Sequence, residues 1–147
     1  MTNDQPFRVL LVDDSRADVV FISESMQDVG FEAELEVATD GRAALERLQA
    51  VEKAADQRPD LILLDLNLPY IGGLELLTYI KASDVLVEVP VIVLSTSDAP
   101  ADIAAAYRGH ASSYVVKPSD ASEYDRLTDV LRQYWTTVVR LPSPVRV

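Results

Sequence analysis

The chain has 147 residues, 48% of them apolar, and a formal charge of −11 from 24 acidic against 13 basic side chains. This length suits one domain that buries roughly two-thirds of its unfolded surface, and the acidic balance with scattered bases excludes the concentrated basic face that a nucleic-acid backbone requires. The lack of Cys removes disulfides, thiolate chemistry and Cys-based zinc sites, while the polar segment Met1 to Phe7 and the strand-sized apolar runs predict a cytoplasmic protein without export signal or membrane span.

Val9-Leu10-Leu11-Val12 is apolar without alternation, the pattern of a parallel strand covered on both faces. Ser15, with Asp18 three residues on, reads as a capping box that opens a helix striped by Val19, Ile22, Met26 and Val29. Leu35 to Ala38 is shorter and more mixed, as nearer a sheet edge, and Asp40 precedes a helix striped by Ala44, Leu45, Leu48 and Val51. After the polar connection Lys53 to Pro59 come a strand at Leu61 to Leu64 and, behind Gly72-Gly73, a helix marked by Leu74, Leu77 and Ile80. Val91 to Leu94 is the fourth strand, and Ile103 and Tyr107 mark an Ala-rich fourth helix. Ser113 to Val116 is the fifth strand, and Asp120 with Glu123 opens a helix carrying Tyr124, Leu127, Leu131 and Tyr134.

Strand and helix thus alternate five times, and right-handed crossovers confine such a chain to a doubly wound α/β sandwich of three layers, with a five-stranded parallel sheet in the order 2-1-3-4-5. Residues 1–147 are expected to form one domain with its core at about 7–135, a tail from Thr136 to Val147 and no output domain.

In an open sheet of that order, ligands bind beyond the carboxyl ends of the strands, between the first and the third. Asp13 and Asp14 directly follow the first strand and Asp65 the third. Two unit charges about 4 Å apart repel by roughly 4 kcal/mol at an effective dielectric near 20, so three carboxylates in one crevice call for a hard cation, and oxygen-only ligands favour Mg2+. The fourth strand ends in Ser95-Thr96, whose hydroxyls suit an anion, and the fifth in Lys117-Pro118, whose ammonium suits a carboxylate or a phosphoryl oxygen.

At these residues the chain resembles the response-regulator receiver (CheY-like) family over about residues 7 to 135. The resemblance is carried by Leu11-Val12-Asp13-Asp14-Ser15, Leu64-Asp65-Leu66-Asn67-Leu68-Pro69, Gly73-Leu74-Glu75, Ser95 and Tyr114-Val115-Val116-Lys117-Pro118. It implies a flavodoxin-like fold and a two-component signalling protein rather than an enzyme, one that catalyses only its own phosphorylation and slow dephosphorylation. Asp65 would accept a phosphoryl group from a sensor histidine kinase. Asp14, Asp65 and the backbone carbonyl of Asn67 would bind Mg2+, with Asp13 acting through a water. Lys117, Ser95 and Thr96 would stabilise the phosphoryl group. Ser95 and Tyr114 would switch the face made by the fourth helix, fifth strand and fifth helix toward an unknown downstream protein. A cis bond is implied between Lys117 and Pro118.

A closer likeness, to small single-domain regulators that partner bacterial phytochromes, lies in Asp14-Ser15-Arg16-Ala17-Asp18, Ser95-Thr96-Ser97, His110 and the Trp135-bearing end with Leu141-Pro142. It implies a homodimer through the fourth and fifth helices, with Tyr134 and Trp135 as contacts; Trp135 equally suits a core anchor. Three positions depart from the family pattern: His110 where Gly is frequent, Ser119 where a bulky residue is frequent, and Thr96 where Ala is common. A haloacid-dehalogenase-like phosphatase would want an acid two residues after its nucleophile, where this chain has Asn67, and no phosphate-binding glycine motif is present.

Overall fold

Strands β1 (Phe7–Val12), β2 (Ala33–Ala38), β3 (Leu61–Leu64), β4 (Val91–Ser95) and β5 (Ser113–Val116) pair in parallel, in the spatial order β2-β1-β3-β4-β5, in a computed structural model that describes residues 6–142. Between and after them run α1 (Arg16–Asp28), α2 (Gly41–Glu52), α3 (Gly73–Ala82), α4 (Pro100–Arg108) and α5 (Ala121–Gln133). The continuous apolar runs have a direct cause. Alternate residues of the three central strands β1, β3 and β4 enter different cores: Leu10, Val12, Ile62, Leu64, Val91 and Val93 pack with α2, α3 and Ala106 of α4, while Val9, Leu11, Leu61, Leu63, Ile92 and Leu94 pack with Ile22, Met26 and Tyr124 of α1 and α5. A strand buried on both sides has no position for a polar side chain.

The helix starts follow the capping residues. Ser15 Oγ accepts from the Asp18 N–H at 3.3 Å, Asp40 Oδ1 from Ala43 at 2.7 Å and Asp120 Oδ1 from Glu123 at 2.9 Å, each satisfying a first-turn N–H that has no partner within the helix. Three helices end in the same left-handed turn. Gly30, Ala54 and His110 all have positive φ, and at each the next N–H (Phe31, Ala55, Ala111) reaches back to the carbonyl of Met26, Ala50 or Ala106, the Schellman arrangement. His110 therefore occupies a position whose backbone favours glycine.

Three residues expected on the buried stripes are corrected: Tyr107, Leu74 and, just past the end of α5, Tyr134. Tyr107 is half exposed and Ala106 is the α4 residue in the core, so the helix turns its small residue and not its aromatic one toward the sheet. Leu74 is likewise partly exposed, its place under α3 taken by Leu76 beside Leu77 and Ile80. Beyond α5 the chain continues into a π-helical turn at Tyr134–Val138. Arg58 then donates to the Pro142 carbonyl at 3.3 Å, so this part of the tail lies against the segment that enters β3. The rest of the tail, including Pro144, lies outside the described residues. Trp135 packs on the core beside α1 and α5 and meets Tyr134 edge-on at 5.2 Å, whereas Tyr134 is half exposed.

Candidate functional site

The sheet itself sets the site. The Asp13 N–H donates to the Ala38 carbonyl, that of Asp65 to Val12, and that of Lys117 to Ser95, so each functional residue is held by one further rung of the ladder beyond its strand. Carboxylate oxygens of Asp13, Asp14 and Asp65 all lie within 4.8 Å of one another, with Asp13 and Asp65 buried and Asp14 exposed. Lys117 closes the other side. Its Nζ is 3.0 Å from Asp65 Oδ2 and 2.9 Å from Asp13 Oδ2. The backbone beneath is tightly packed: a Cβ on Gly73 would lie 2.2 Å from the Asp65 carbonyl oxygen, and one on Gly41 would lie 1.9 Å from that of Ile71, which explains the glycine in the Gly73-Leu74-Glu75 segment.

The expected cis bond is corrected. No cis peptide occurs among the described residues, Lys117–Pro118 included. The trans form is the intrinsic preference, and the register of β5 already carries the Lys117 side chain inward without a cis turn.

Asp13 and Asp65 each have one oxygen engaged by the backbone and one facing the lysine. Asp13 Oδ1 accepts from the Ser15 N–H at 2.9 Å and Asp65 Oδ1 from the Asn67 N–H at 3.3 Å. The contact of Lys117 with Asp13 Oδ2 is too oblique for a hydrogen bond, and that buried oxygen has no hydrogen-bond partner. Burial raises the Asp13 carboxyl above its ordinary value, with the charge of Asp65 adding to it, although the Ser15 N–H and Lys117 pull the other way. An orphaned anionic oxygen, two further carboxylates beside it and a donor set made only of oxygen fit a hard divalent cation.

One functional contact was missed in the sequence. Lys117 Nζ also donates to Asp18 Oδ2 at 2.8 Å, and Tyr124 donates its hydroxyl to Asp18 Oδ1 at 3.1 Å. The capping-box reading directed the Asp18 carboxylate to the backbone, but the Ser15 N–H is taken by Asp13, which frees Asp18 for the lysine. Burial lowers the affinity of Lys117 for its proton, yet Asp18, Asp13 and Asp65 together outweigh burial and hold the ammonium above its ordinary value. The signal present in the sequence was a second use for an acid on the first turn of a helix that starts at the site.

Ser95 is fully buried at the end of β4, and its Oγ accepts from the Ser97 N–H at 3.2 Å, whereas Thr96 is exposed. Ser97 ties the following loop together: its Oγ donates to Asp102 Oδ2 at 2.5 Å and accepts from the Ala99 N–H at 3.2 Å, and its carbonyl accepts from the Tyr114 hydroxyl at 2.8 Å. Tyr114 thus spans from β5 to the loop that leads from Ser95 into α4.

Residues 9–129 match the sequence profile described as the response regulator receiver domain. The chain is 37% identical over 141 residues to the probable methanogenesis regulatory protein FilR2 of Methanothrix harundinacea, covering 96% of this chain and 91% of that one. It is 36% identical over 142 residues to response regulator Rcp1 of Synechocystis sp., covering 96% and 97%, and the Mn(2+)-bound crystal structure of Rcp1 superposes with a TM-score of 0.84 over 94% of this chain and 100% of that one. The phosphorylated cyanobacterial phytochrome response regulator RcpA, 36% identical, superposes with a TM-score of 0.87 over 95% of this chain and all of its own.

Proposed function

The chain belongs to the response regulator receiver family, and from that premise we propose that it takes a phosphoryl group from a sensor histidine kinase onto Asp65, with Mg2+, and passes the change to a downstream protein. Receiver domains are signalling modules that bind a divalent metal and work with histidine kinases, not enzymes in the ordinary sense. The observation that carries the reading is the meeting of Asp13, Asp14 and Asp65 with the Lys117 ammonium, 3.0 Å from Asp65 Oδ2.

In the transfer, an Asp65 carboxylate oxygen attacks the phosphorus of a phosphohistidine, and the P–N bond breaks with its electron pair going to the imidazole nitrogen. Lys117 turns one N–H from Asp65 to a phosphoryl oxygen, and the Ser95 hydroxyl, now engaged only by the Ser97 N–H, donates to another, with Thr96 beside it. A divalent cation held by Asp14, Asp65 and the Asn67 carbonyl, with Asp13 through a water, would neutralise the phosphoryl oxygens as charge spreads over them. Mn2+ in the Rcp1 structure supports a divalent cation, and the all-oxygen donors favour Mg2+ among them. Slow hydrolysis of the acyl phosphate by the same site resets it.

Movement of Ser95 would pull on the Ser97 loop and so on Tyr114, whose hydroxyl is bonded to that loop. The signal then leaves through α4, β5 and α5, where a homodimer would form with half-exposed Tyr134 in the contact and Trp135 supporting it from beneath. The likeness to RcpA, a cyanobacterial phytochrome response regulator, supports a bacterial phytochrome as the kinase, and the site of action is taken to be the cytoplasm. Transfer from an autophosphorylated phytochrome kinase tests the reading: label that moves to the chain with Mg2+ and stays on the kinase with Asp65→Asn supports it, and equal labelling of both chains rejects it.

A further inference from the structure

Of the three carboxylates around Lys117 Nζ, Asp18 alone stands outside the acidic trio. It is also held from every side. Its N–H donates to Ser15 Oγ, its Oδ2 accepts from the Lys117 ammonium at 2.8 Å, and its Oδ1 accepts from the Tyr124 hydroxyl at 3.1 Å. Tyr124 is itself fixed: it is 2% exposed and stacks on Phe21 with ring centroids 5.3 Å apart. A side chain fixed in this way has already lost its rotamer freedom and keeps one position as charge around it changes.

We propose that Asp18 is a positioning residue for phosphoryl transfer, which holds the Lys117 ammonium in place while the lysine's contact with Asp65 is exchanged for one with the phosphoryl group. The inference rests on the assignment of Asp65 as phosphoacceptor. An ammonium has three protons; here two are donated, to Asp18 and Asp65, while Asp13 Oδ2 lies 2.9 Å from the same nitrogen. As the P–N bond of the donor breaks and the P–O bond to Asp65 forms, Lys117 keeps all three protons and re-aims only one. A cation held by the trio would draw on the negative charge of Asp13 and Asp65 and so weaken both as partners of the lysine. Asp18 keeps its full charge for Lys117 throughout. Without it, the ammonium settles onto Asp13 and Asp65, where it competes with the cation and masks the nucleophile. Through Tyr124 and Phe21, the same acid joins the lysine to the packing of α1 against α5.

The test is a double-mutant cycle on the full chain, with acetyl phosphate as donor at saturating Mg2+ and at a concentration high enough for the Lys117→Ala variant to react measurably. Asp18→Ala is expected to slow phosphorylation about tenfold when Lys117 is present and to leave the rate of Lys117→Ala unchanged, the coupling typical of groups in contact. Tyr124→Phe removes one hydrogen bond to the Asp18 carboxylate and leaves the Lys117 contact in place, and is expected to slow it about threefold. Asp18→Asn, which keeps the shape without the charge, guards against a folding defect: it should melt as a folded protein and still lose rate. An equal factor for Asp18→Ala in both lysine backgrounds means that Asp18 acts through α1 alone and overturns the proposal. A wild-type chain that takes no phosphoryl group rejects the Asp65 assignment itself, whereas a wild-type adduct with additive variants rejects only the role of Asp18.

Discussion

Gly73 meets the backbone of Asp65 so closely that a Cβ on the glycine would lie 2.2 Å from the aspartate's carbonyl oxygen and 2.6 Å from Leu66 Cα. Both are backbone atoms, fixed by the hydrogen bond from Asp65 to Val12 on one side and from Gly73 to Leu66 on the other. Room for a methyl group comes only from moving the start of α3 or the end of β3. Gly73→Ala should therefore destabilise by about 1–3 kcal/mol and slow phosphorylation as well, while Leu74→Ala on the exposed side does neither to that extent. Urea unfolding and initial phosphorylation rates on the two variants check this; a Gly73→Ala protein equal to wild type in both would show that the contact is not constraining.

Asp13 is unfavourable to the metal-free fold. Burial raises its carboxyl above the ordinary 3.8, against the pull of Ser15 and Lys117, so its contribution to stability is full below pH 3.8 and is lost as the pH rises through its folded value. At neutral pH the ionised side chain is therefore a penalty. Asp13→Asn should raise the melting temperature in EDTA by about 3 °C, the change that ~1 kcal/mol makes in a domain of this size. Mg2+ at a hundred times its Kd should stabilise the wild type by about 2.7 kcal/mol and the variant less. A variant that melts lower than wild type in EDTA would contradict the argument.

The ion pair of Asp18 with Lys117 has the opposite dependence. Burial pushes the Asp18 carboxyl up, but Lys117, Ser15 and Tyr124 outweigh it and the group sits below 3.8. Its contribution is present above pH 3.8 and is lost as the pH falls through the depressed folded value. Lys117 is raised above 10.5, so its share is full below pH 10.5 and fades only above it. Denaturant titrations at several pH values should show the wild type losing stability below pH 4 more steeply than Asp18→Asn. Parallel acid limbs for the two proteins would remove this pair from the acid response.

Much of this arrangement was legible in the sequence because several levels of it agree. The runs at Leu61 to Leu64 and Val91 to Leu94 have no polar position, which requires cover on both faces, and the acids and lysine that follow the strands are placed by the sheet order alone. The stripes on the short helices were less legible: a period of 3.6 marks Tyr107 and Leu74 as readily as their neighbours, and only the packing of the whole chain decides that Ala106 and Leu76 go inside. Asp18 was hidden for another reason. An acid at the third position of a helix has a local use, the capping box, and nothing in the local pattern reveals that Asp13 has already occupied the N–H it would bind. The trans bond before Pro118 was masked in turn by the family resemblance.

His110 sits at φ +72° after α4, in a conformation that disfavours any residue with a Cβ by about 1–2 kcal/mol. The side chain is exposed, so its loss removes little packing. His110→Gly should stabilise the protein by about 1 kcal/mol at unchanged phosphorylation rate, read from the midpoint of urea unfolding. A lower midpoint would mean that the imidazole contributes more than the turn demands.

The most direct measurement is intact mass after incubation with acetyl phosphate, for the wild type and Asp65→Asn, with Mg2+ and with EDTA. One phosphoryl group is expected on the wild type with Mg2+ and none in the other three samples. The same adduct on Asp65→Asn, or an adduct indifferent to EDTA, would contradict the assignment of Asp65 and its cation as the site of phosphoryl transfer.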